Sequence, residues 1–348
     1  MKIGIILNPY GEDKPAGLGR SVYEMTKAIL EIDRENEYLI ILRKKPKTLP
    51  NFPGSNWKIK IADYKYFWLD IALWGENLDV CIFNTPVISF FVRPKKTIVV
   101  TYDYAYDDFG RDRFLKWLNG YSFRKADLIF AISEATKKET MRLFGIPAEK
   151  IKIAYLGYNN ISAILESAVR DLPPRFFMFV GAIKERKNVL GIIKAFSRIN
   201  KSEIAEKLVI SGNGKGPYFQ KILDFVRENN LSNEVIFLGQ ISDSELVYLN
   251  RHATALIYPS FIEGFGLPIL EGMGCGLPVI TSNISSLPEV AGDAALLADP
   301  HDPDAIARAM VRISSDEKLR SDLTRKGYEQ IKKFSWRKSA NGVLASLK

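Results

Sequence analysis

Two glutamates stand eight positions apart in a turn that is otherwise apolar and rich in glycine. They are Glu263 and Glu271, in the stretch FIEGFGLPILEGMGCGLPVITSN at positions 261–283. Carboxylates accept hydrogen bonds from paired hydroxyl groups, such as those of a ribose or a hexose. We expect Glu271 on the first turn of a helix and Glu263 on the loop ahead of it, lining one pocket. The alternative is a glutamate that caps the helix and a glutamate on a surface loop.

The helix in this stretch is predicted to begin just after two glycines, with Pro268 in its first turn, where proline fits best. The N–H groups of Phe265, Gly266 and Leu267 can then face a ligand, because a helix start binds phosphate or carboxylate oxygens. Hydroxyl acceptors beside an anion site fit a sugar joined to a nucleotide through phosphates. Neither glutamate charge is expected to be needed in the core.

A second candidate anion site lies in the segment FVGAIKERKNV. Gly181 stands at the end of a predicted strand, and Arg186 and Lys187 come before a helix predicted to begin at Asn188. Two cations beside a helix start are unusual, because that end already repels positive charge. They would suit a diphosphate held between them and the N–H groups. A solvated basic loop is the alternative.

Glycine loops follow two further predicted strands. Gly17 and Gly19 stand in NPYGEDKPAGLGRS, just before a helix expected to open near Arg20 or Ser21. Such glycines let N–H groups approach an anion, although a flexible glycine loop is the alternative. The loop ISGNGKG offers Asn213 for a minor binding role. The third glycine of a dehydrogenase fingerprint is missing, which disfavours a nicotinamide-dependent oxidoreductase but leaves it open.

The elements that position these residues follow a regular rhythm. Short apolar runs, among them KIGIIL, YLIILR, TIVVT, FFMFVG, KLVISG and PVITS, alternate with helix-like segments. This rhythm predicts an α/β fold with parallel sheets covered by helices on both faces. We predict two doubly wound, Rossmann-like domains facing across a cleft. Ligands of such sheets bind beyond the carboxyl ends of the strands.

The boundary between the domains is predicted at the polar stretch ESAVRDLPPR, which contains a double proline. Residues 1–168 are predicted to form the N-terminal domain and residues 169–333 the C-terminal domain. Residues 334–348 are predicted to form a helix that packs back on the first domain.

Composition narrows the class of protein. Hydrophobic residues make up 47% and charged residues 26% of the 348, the balance of a soluble globular chain. Cys81 and Cys275 are expected to be buried free thiols in a reducing cytosol, and only two histidines are present, so a His/Cys metal cluster is disfavoured. The net charge of +9 suggests an anionic partner or simply a basic surface. No basic tail points to nucleic acid.

Four segments together resemble retaining family-4 glycosyltransferases of the GT-B fold: PSFIEGFGLPILEGMGCGLPVITSN, VGAIKERKN, GLGR and AISEATKKE. The similarity runs in register over nearly the whole chain and is strongest over residues 177–304. In this family the residue matching Glu271 holds the nucleotide ribose, and the residue matching Glu263 sits by the donor sugar near the reacting carbon. The basic pair matching Arg186 and Lys187 neutralises the diphosphate.

The resemblance extends to the first domain, with one departure. The loop matching Gly17–Gly19 reaches over the diphosphate, and the backbone near Gln240 and Ile241 meets the base. Many members carry His-Asp after the strand matching TIVVT, whereas this chain has Tyr102 followed by Asp103. Tyr102 could hydrogen-bond a sugar hydroxyl; alternatively the site is adapted, slower or inactive.

The resemblance implies transfer of a hexose from a nucleotide-diphosphate sugar to a glycan or lipid-linked acceptor in polysaccharide biosynthesis. It implies that the domain of residues 1–168 binds the acceptor and that the domain of residues 169–333 binds the sugar nucleotide. It implies retention of the anomeric configuration and no metal or other cofactor. Mannosyltransferase-like members favour GDP-mannose. A UDP-sugar-dependent transferase and a non-catalytic sugar-nucleotide-binding protein are the alternatives.

Two segments of the first domain mix aromatic residues with Arg and Lys: DYKYFWLDIALWGENL and GRDRFLKWLNGYSFRKADL. Such segments could contact a membrane interface, presenting rings to lipid and cations to headgroups. The alternative is ordinary core positions with solvated charges opposite. The expected location is the cytoplasm, with a peripheral position at the inner face of the membrane left open.

Overall fold

The structure, a computed structural model, describes residues 1–10, 17–104, 113–169, 171–200 and 202–347. By contacts the chain divides into two units, Met1–Gly157 with Phe334–Lys348 and Tyr158–Lys333. Each unit contains one parallel β-sheet with helices, so the predicted α/β fold with two Rossmann-like domains is confirmed.

The first unit is built on a seven-stranded sheet in the order β3-β2-β1-β4-β5-β6-β7. Its strands are β1 (Lys2–Ile6), β2 (Glu37–Leu42), β3 (Trp57–Ile61), β4 (Val80–Phe83), β5 (Lys96–Thr101), β6 (Leu128–Ala131) and β7 (Ile151–Ile153). Its helices include α1 (Gly17–Ile32), α2 (Trp68–Leu73), α3 (Arg113–Lys125) and α4 (Glu134–Phe144). All four residues of β4 and of β6 are buried, which explains why central strands are continuous apolar runs.

The second unit is built on a six-stranded sheet in the order β10-β9-β8-β11-β12-β13. Its strands are β8 (Phe176–Val180), β9 (Lys207–Ser211), β10 (Val235–Gly239), β11 (Ala255–Tyr258), β12 (Val279–Ser282) and β13 (Ala295–Ala298). Its helices are α5 (Val189–Arg198), α6 (Gly216–Glu228), α7 (Asp243–His252), α8 (Leu267–Gly274), α9 (Leu287–Ala291), α10 (Pro303–Ser315) and α11 (Glu317–Ile331). The strand order reverses between β8 and β11, and this switch point is where such sheets bind ligands.

The last helix, α12 (Trp336–Leu344), returns to the first unit, as predicted. It packs on α1, and Ser339 Oγ donates a hydrogen bond to the carbonyl of Tyr155. The sequence analysis predicted the boundary between residues 168 and 169, whereas the two units divide between Gly157 and Tyr158. Residues 158–168 pack with the second unit, because Arg251 bonds to the Ser162 carbonyl at 2.9 Å and to Glu166 at 3.1 Å.

The two cysteines are both free thiols, but only Cys81 is fully buried. The expectation that Cys275 is buried is wrong, because Cys275 follows the end of α8 and is only half-buried. Within the described part of the chain, no helix is both long enough and apolar enough to cross a membrane.

Candidate functional site

The switch point of the second sheet brings the basic pair and the first glutamate together. Arg186 and Lys187 lie in a 3-10 turn, Glu185–Lys187, that follows β8. Glu263 lies on the loop that follows β11, the strand paired with β8. The two loops are tied by a hydrogen bond from the Phe261 N–H to the Arg186 carbonyl at 2.9 Å. The sheet order therefore joins two segments that are far apart in sequence.

Glu263 is held by two cations and a phenol. Lys187 Nζ donates to Glu263 Oε1, and it also donates to Tyr258 Oη at 2.6 Å. The Tyr258 hydroxyl in turn donates to Glu263 Oε1 at 2.8 Å. Arg186 Nη1 donates to Glu263 Oε2 at 3.2 Å and to the Ile262 carbonyl at 3.0 Å. We call Arg186, Lys187, Tyr258 and Glu263 the switch-point cluster.

The side chains of Lys187, Tyr258 and Glu263 are buried, and the charges within the cluster shift the pKa values of Tyr258 and Glu263. Lys187 is 9% and Glu263 8% exposed. Burial raises the pKa of Glu263, but the Lys187 and Arg186 charges and the hydrogen bonds outweigh it, so the pKa lies below its ordinary value of 4.5. Burial, followed by the Glu263 charge, raises the pKa of Tyr258 well above its ordinary value of 10.0. The cluster is therefore an ionised carboxylate, two cations and a neutral phenol.

This arrangement corrects the expectation that neither glutamate charge is needed in the core. Glu263 supplies the counter-charge to a buried lysine, and losing one partner of a buried pair leaves the other charge uncompensated. The sequence offered no sign of this burial, because Glu263 stands in a glycine-rich loop.

Side chains that the sequence analysis missed fix the two loops. Ser285 Oγ accepts from the Glu263 N–H at 3.1 Å and donates to the Glu263 carbonyl at 2.8 Å. Ser286 Oγ also donates to that carbonyl, at 2.8 Å. Asn188 Nδ2 donates to the carbonyls of Pro259 at 3.1 Å and Pro300 at 2.7 Å, which anchors the basic turn. The run TSNISS, which begins at the end of β12, was the sequence pattern from which the two serines could have been predicted.

Helix α8 begins at Leu267, as predicted, with Gly266 as its N-cap. Gly266 has φ of 112°, and a Cβ there would lie 2.8 Å from a Leu287 methyl carbon, so glycine is required. Among the described residues, the N–H groups of Gly266 and Leu267 form no hydrogen bond. Phe265 is buried, and its carbonyl accepts from Ser286 Oγ at 3.0 Å. The helix start can therefore offer N–H groups to an anion.

Glu271 lies one turn further along α8 than expected. The first turn carries no acidic residue, so the expectation that Glu271 lies on the first turn is wrong. The reason is that Leu267 is already helical, which places Glu271 on the second turn, above Leu267 at the i, i+4 spacing. The charge of Glu271 contributes to raising the pKa of Tyr258, as that of Glu263 does. Both carboxylates therefore lie near one phenol.

The remaining candidates of the second unit lie at the same edge of its sheet. The Gly181 N–H donates to the Ser211 carbonyl at 3.0 Å, joining the ends of β8 and β9. Asn213 Nδ2 donates to Gln240 Oε1 at 3.0 Å, and the half-buried Ile241 follows directly. These residues line the carboxyl ends of β8, β9 and β10, beside the basic pair.

The glycine candidates of the first unit belong to a helix. Helix α1 begins at Gly17, so Gly17 and Gly19 lie in its first turn, and the expected start near Arg20 or Ser21 is wrong. Gly19 is buried, and packing there outweighs the cost of about 1 kcal/mol that glycine carries in a helix. Residues 11–16 of the predicted glycine loop lie outside the described residues.

The pair Tyr102 and Asp103 directly follows β5 in the first unit. The Tyr102 carbonyl accepts from Thr136 Oγ1 at 3.1 Å, and burial raises the pKa of the Tyr102 hydroxyl. This phenol is therefore a hydrogen-bonding group without charge at neutral pH.

Two family models match adjoining parts of the chain. The model described as glycosyl transferases group 1 matches residues 161–330, and that described as glycosyltransferase family 4 matches residues 16–160. The chain is 35% identical over 236 residues to the O-antigen chain mannosyltransferase B of Escherichia coli, covering 65% of this chain and 61% of that protein. It is 30% identical over 397 residues to the serotype-specific mannosyltransferase WbdA of Escherichia coli, covering 95% and 46%. The chain thus spans less than two thirds of these relatives.

Solved structures share the fold at low sequence identity. Anabaena Alr3699/HepE, in complex with UDP and glucose, has a TM-score of 0.80 at 17% identity, with 100% of this chain and 99% of that chain covered. WaaG, a glycosyltransferase involved in lipopolysaccharide biosynthesis, has a TM-score of 0.72 at 14% identity, with 100% of both chains covered.

Proposed function

The chain belongs to the family-4 glycosyltransferases of the GT-B fold, and on that premise we propose that it transfers a hexose from a nucleotide-diphosphate sugar to a glycan or lipid-linked acceptor, with retention. Mannose is the favoured sugar and GDP-mannose the favoured donor, because similar proteins bear the name mannosyltransferase. A UDP-sugar is the runner-up donor. The acceptor would be a growing polysaccharide or its lipid-linked precursor.

The observation that carries this proposal is the switch-point cluster beside the start of α8. Two cations and unpaired N–H groups at one sheet edge suit a diphosphate. Glu271, one turn into α8, is assigned to the ribose hydroxyls, and Glu263 to the donor sugar. Asn213 and Ile241, at the ends of β9 and β10, are assigned to the nucleotide.

In the proposed reaction, charged side chains lie beside the two groups on which charge develops, the leaving diphosphate and the sugar ring. The bond between the anomeric carbon and the diphosphate oxygen breaks, and a bond to the acceptor oxygen forms on the same face. The acceptor proton passes to a diphosphate oxygen. Arg186 and Lys187 stabilise negative charge on the leaving diphosphate, and the ionised Glu263 stabilises positive charge on the sugar ring. Metal independence belongs to this proposal, since the two cations take the role of a divalent ion.

A thermal-shift screen of sugar nucleotides tests the donor, followed by assay of the stabilising compound with and without acceptor. We expect GDP-mannose to raise the melting temperature most and to be consumed. Stabilisation without transfer or hydrolysis would favour a non-catalytic sugar-nucleotide-binding protein. A screen in which no sugar nucleotide or nucleoside diphosphate binds would refute the assignment of the site.

A pair of lysine variants tests the diphosphate assignment directly. Lys187→Ala is expected to reduce the donor-induced shift, measured against the variant's own ligand-free melting temperature. Lys184→Ala is the matched control, because Lys184 is exposed in the same loop and its side chain caps nothing. Equal shifts in the two variants would contradict a diphosphate on Lys187.

A further inference from the structure

Six aromatic side chains of the first unit form one continuous row of ring contacts, which we call the aromatic row. Successive ring centroids lie 5.9 Å apart for Phe67–Phe91, 6.4 Å for Phe91–Phe90, 5.4 Å for Phe90–Tyr121, 6.0 Å for Tyr121–Trp117 and 5.9 Å for Trp117–Phe114. The row joins the start of α2, the loop after β4 and one side of α3. Residues distant in sequence thus assemble one surface feature.

Four rings of the row are exposed, whereas Phe90 and Tyr121 are half-buried and Tyr121 packs against the core. Phe91 is 75% and Phe114 is 67% exposed. Every exposed Phe or Trp among the described residues lies in this row or, as Trp74, at the end of α2. Phe67, Ile71 and Trp74 are all exposed and follow the i, i+4, i+7 spacing of one helical face. Large apolar rings gathered on one surface mark an interaction site.

The row is also held in place by buried groups. Asp70 is buried on α2, and its Oδ1 accepts from Ser89 Oγ at 2.6 Å and from the Phe91 N–H at 2.6 Å. This carboxylate fixes the loop that displays Phe91. Phe67 has φ of 49°, a left-handed conformation that is strained for a large side chain. Phe67 therefore keeps a strained backbone conformation although its ring is exposed to solvent.

The charges within the three segments that carry the row are almost all positive. Its three segments, residues 64–74, 89–96 and 113–125, carry a single carboxylate, Asp70, which is buried and already hydrogen-bonded. They carry the following basic residues: Lys65, Arg93, Lys95, Lys96, Arg113, Lys116, Arg124 and Lys125. Of these, Lys95 pairs with Asp79 at 2.7 Å. Lys65 Nζ lies 5.2 Å from the Tyr66 ring centre, and Arg93 Nη2 donates to Tyr121 Oη at 3.0 Å. Rings and cations are therefore interleaved.

We propose that the aromatic row docks the chain on an anionic lipid bilayer, with rings at the level of the headgroups and cations on the lipid phosphates. Charge complementarity favours this occupant over a glycan chain. A ring platform for sugars needs carboxylates or amides beside the rings to bind hydroxyls, and the only carboxylate of these segments is buried. The proposal does not depend on the proposed transfer reaction.

Flotation of the full chain with vesicles tests the proposal. We expect binding to vesicles of phosphatidylcholine with about one third phosphatidylglycerol, little binding to phosphatidylcholine alone, and weakening by salt, because exposed charges are screened. The variant Phe67→Asn with Phe91→Ser is expected to lower the partition coefficient at least about tenfold, since each ring loses its apolar burial. Asparagine tolerates the left-handed conformation at position 67, so this variant should keep its fold.

Leu165→Ser is the matched control, because Leu165 is the most exposed large apolar side chain of the described second unit. It is expected to bind vesicles as the parent does. Vesicle binding that is absent at low salt, or that is equal in the aromatic variant and the control, overturns the proposal. Binding of a soluble oligosaccharide with quenching of tryptophan fluorescence, without vesicle binding, would also overturn it in favour of a glycan platform. Nucleotide-induced melting shifts of the same variants report separately on the proposed donor site.

Discussion

Glu263→Gln is the most informative perturbation of the switch-point cluster. It removes one charge and keeps the shape of the side chain, leaving Lys187 and Arg186 without their shared counter-charge. Removing one partner of a buried ion pair costs about 3–5 kcal/mol. The lower end applies, about 3 kcal/mol, since the Arg186 side chain is 21% exposed and glutamine still accepts a hydrogen bond. For a unit of this size the melting temperature should fall by about 6–12 °C.

The same variant should bind a nucleoside diphosphate more tightly. In the ligand-free chain Glu263 occupies both cations, so a diphosphate must share them with a carboxylate. A hydrogen bond to a charged group contributes about 1.5–3 kcal/mol. We take the lower end, about 1.5 kcal/mol, so removing the competing carboxylate should tighten binding of GDP or UDP by about tenfold. Calorimetric titration with the diphosphate alone measures this without any sugar contact. Turnover should fall, because the charge facing the sugar ring is gone.

The pH dependence checks the same charge. Since the folded pKa of Glu263 lies below its ordinary value of 4.5, its contribution to stability is complete above that value. The contribution disappears as pH falls through the folded pKa. The difference in melting temperature between parent and variant should therefore be largest near neutral pH and should close in acid.

Glu76→Gln is the matched control for this prediction. Glu76 also pairs with two lysines, Lys2 at 2.9 Å and Lys60 at 2.6 Å, but in the first unit and with both lysines about a third or more exposed. It should cost about 0–1 kcal/mol and leave diphosphate affinity unchanged. A Glu263→Gln variant that melts like the parent, or that binds the diphosphate more weakly, would refute Glu263 as the competing counter-charge.

Three further predictions concern the same site. Glu271→Gln should mainly raise the donor KM with an unchanged melting temperature, because ribose hydroxyls lose a charged acceptor in ground and transition state alike; an effect on kcat alone would contradict this. Tyr258→Phe should keep the stack on Phe179 but lower the free energy of unfolding by about 1–3 kcal/mol in denaturant titration, because Lys187 and Glu263 each lose a buried partner. Transfer activity should survive EDTA, and complete loss restored by a divalent metal would show that another group neutralises the diphosphate.

The sequence by itself determined the architecture. Apolar runs of strand length, separated by amphipathic helical segments, can be buried only in parallel sheets with helices on both faces. The glycines before α8 and the proline in its first turn also located that helix start at Leu267, because both residue types act through local backbone geometry. Glycines were less decisive at α1, because that helix already includes Gly17 and Gly19 and does not begin near Arg20 or Ser21.

Only the tertiary structure decided which residues of the site contact one another. Lys187 and Glu263 are 76 positions apart, and they meet because β8 and β11 are neighbours in the sheet. The phenol of Tyr258 lies between them at the end of an ordinary apolar strand, where nothing in the local pattern distinguishes it. The sequence of the aromatic segments fitted core and surface positions equally well. In the structure, Asp70 binds the Phe91 N–H and fixes the loop with the Phe91 ring exposed. The local pattern of apolar residues predicts whether each element is buried. The order of the strands depends on how the whole sheet packs, and no short stretch of sequence encodes that order.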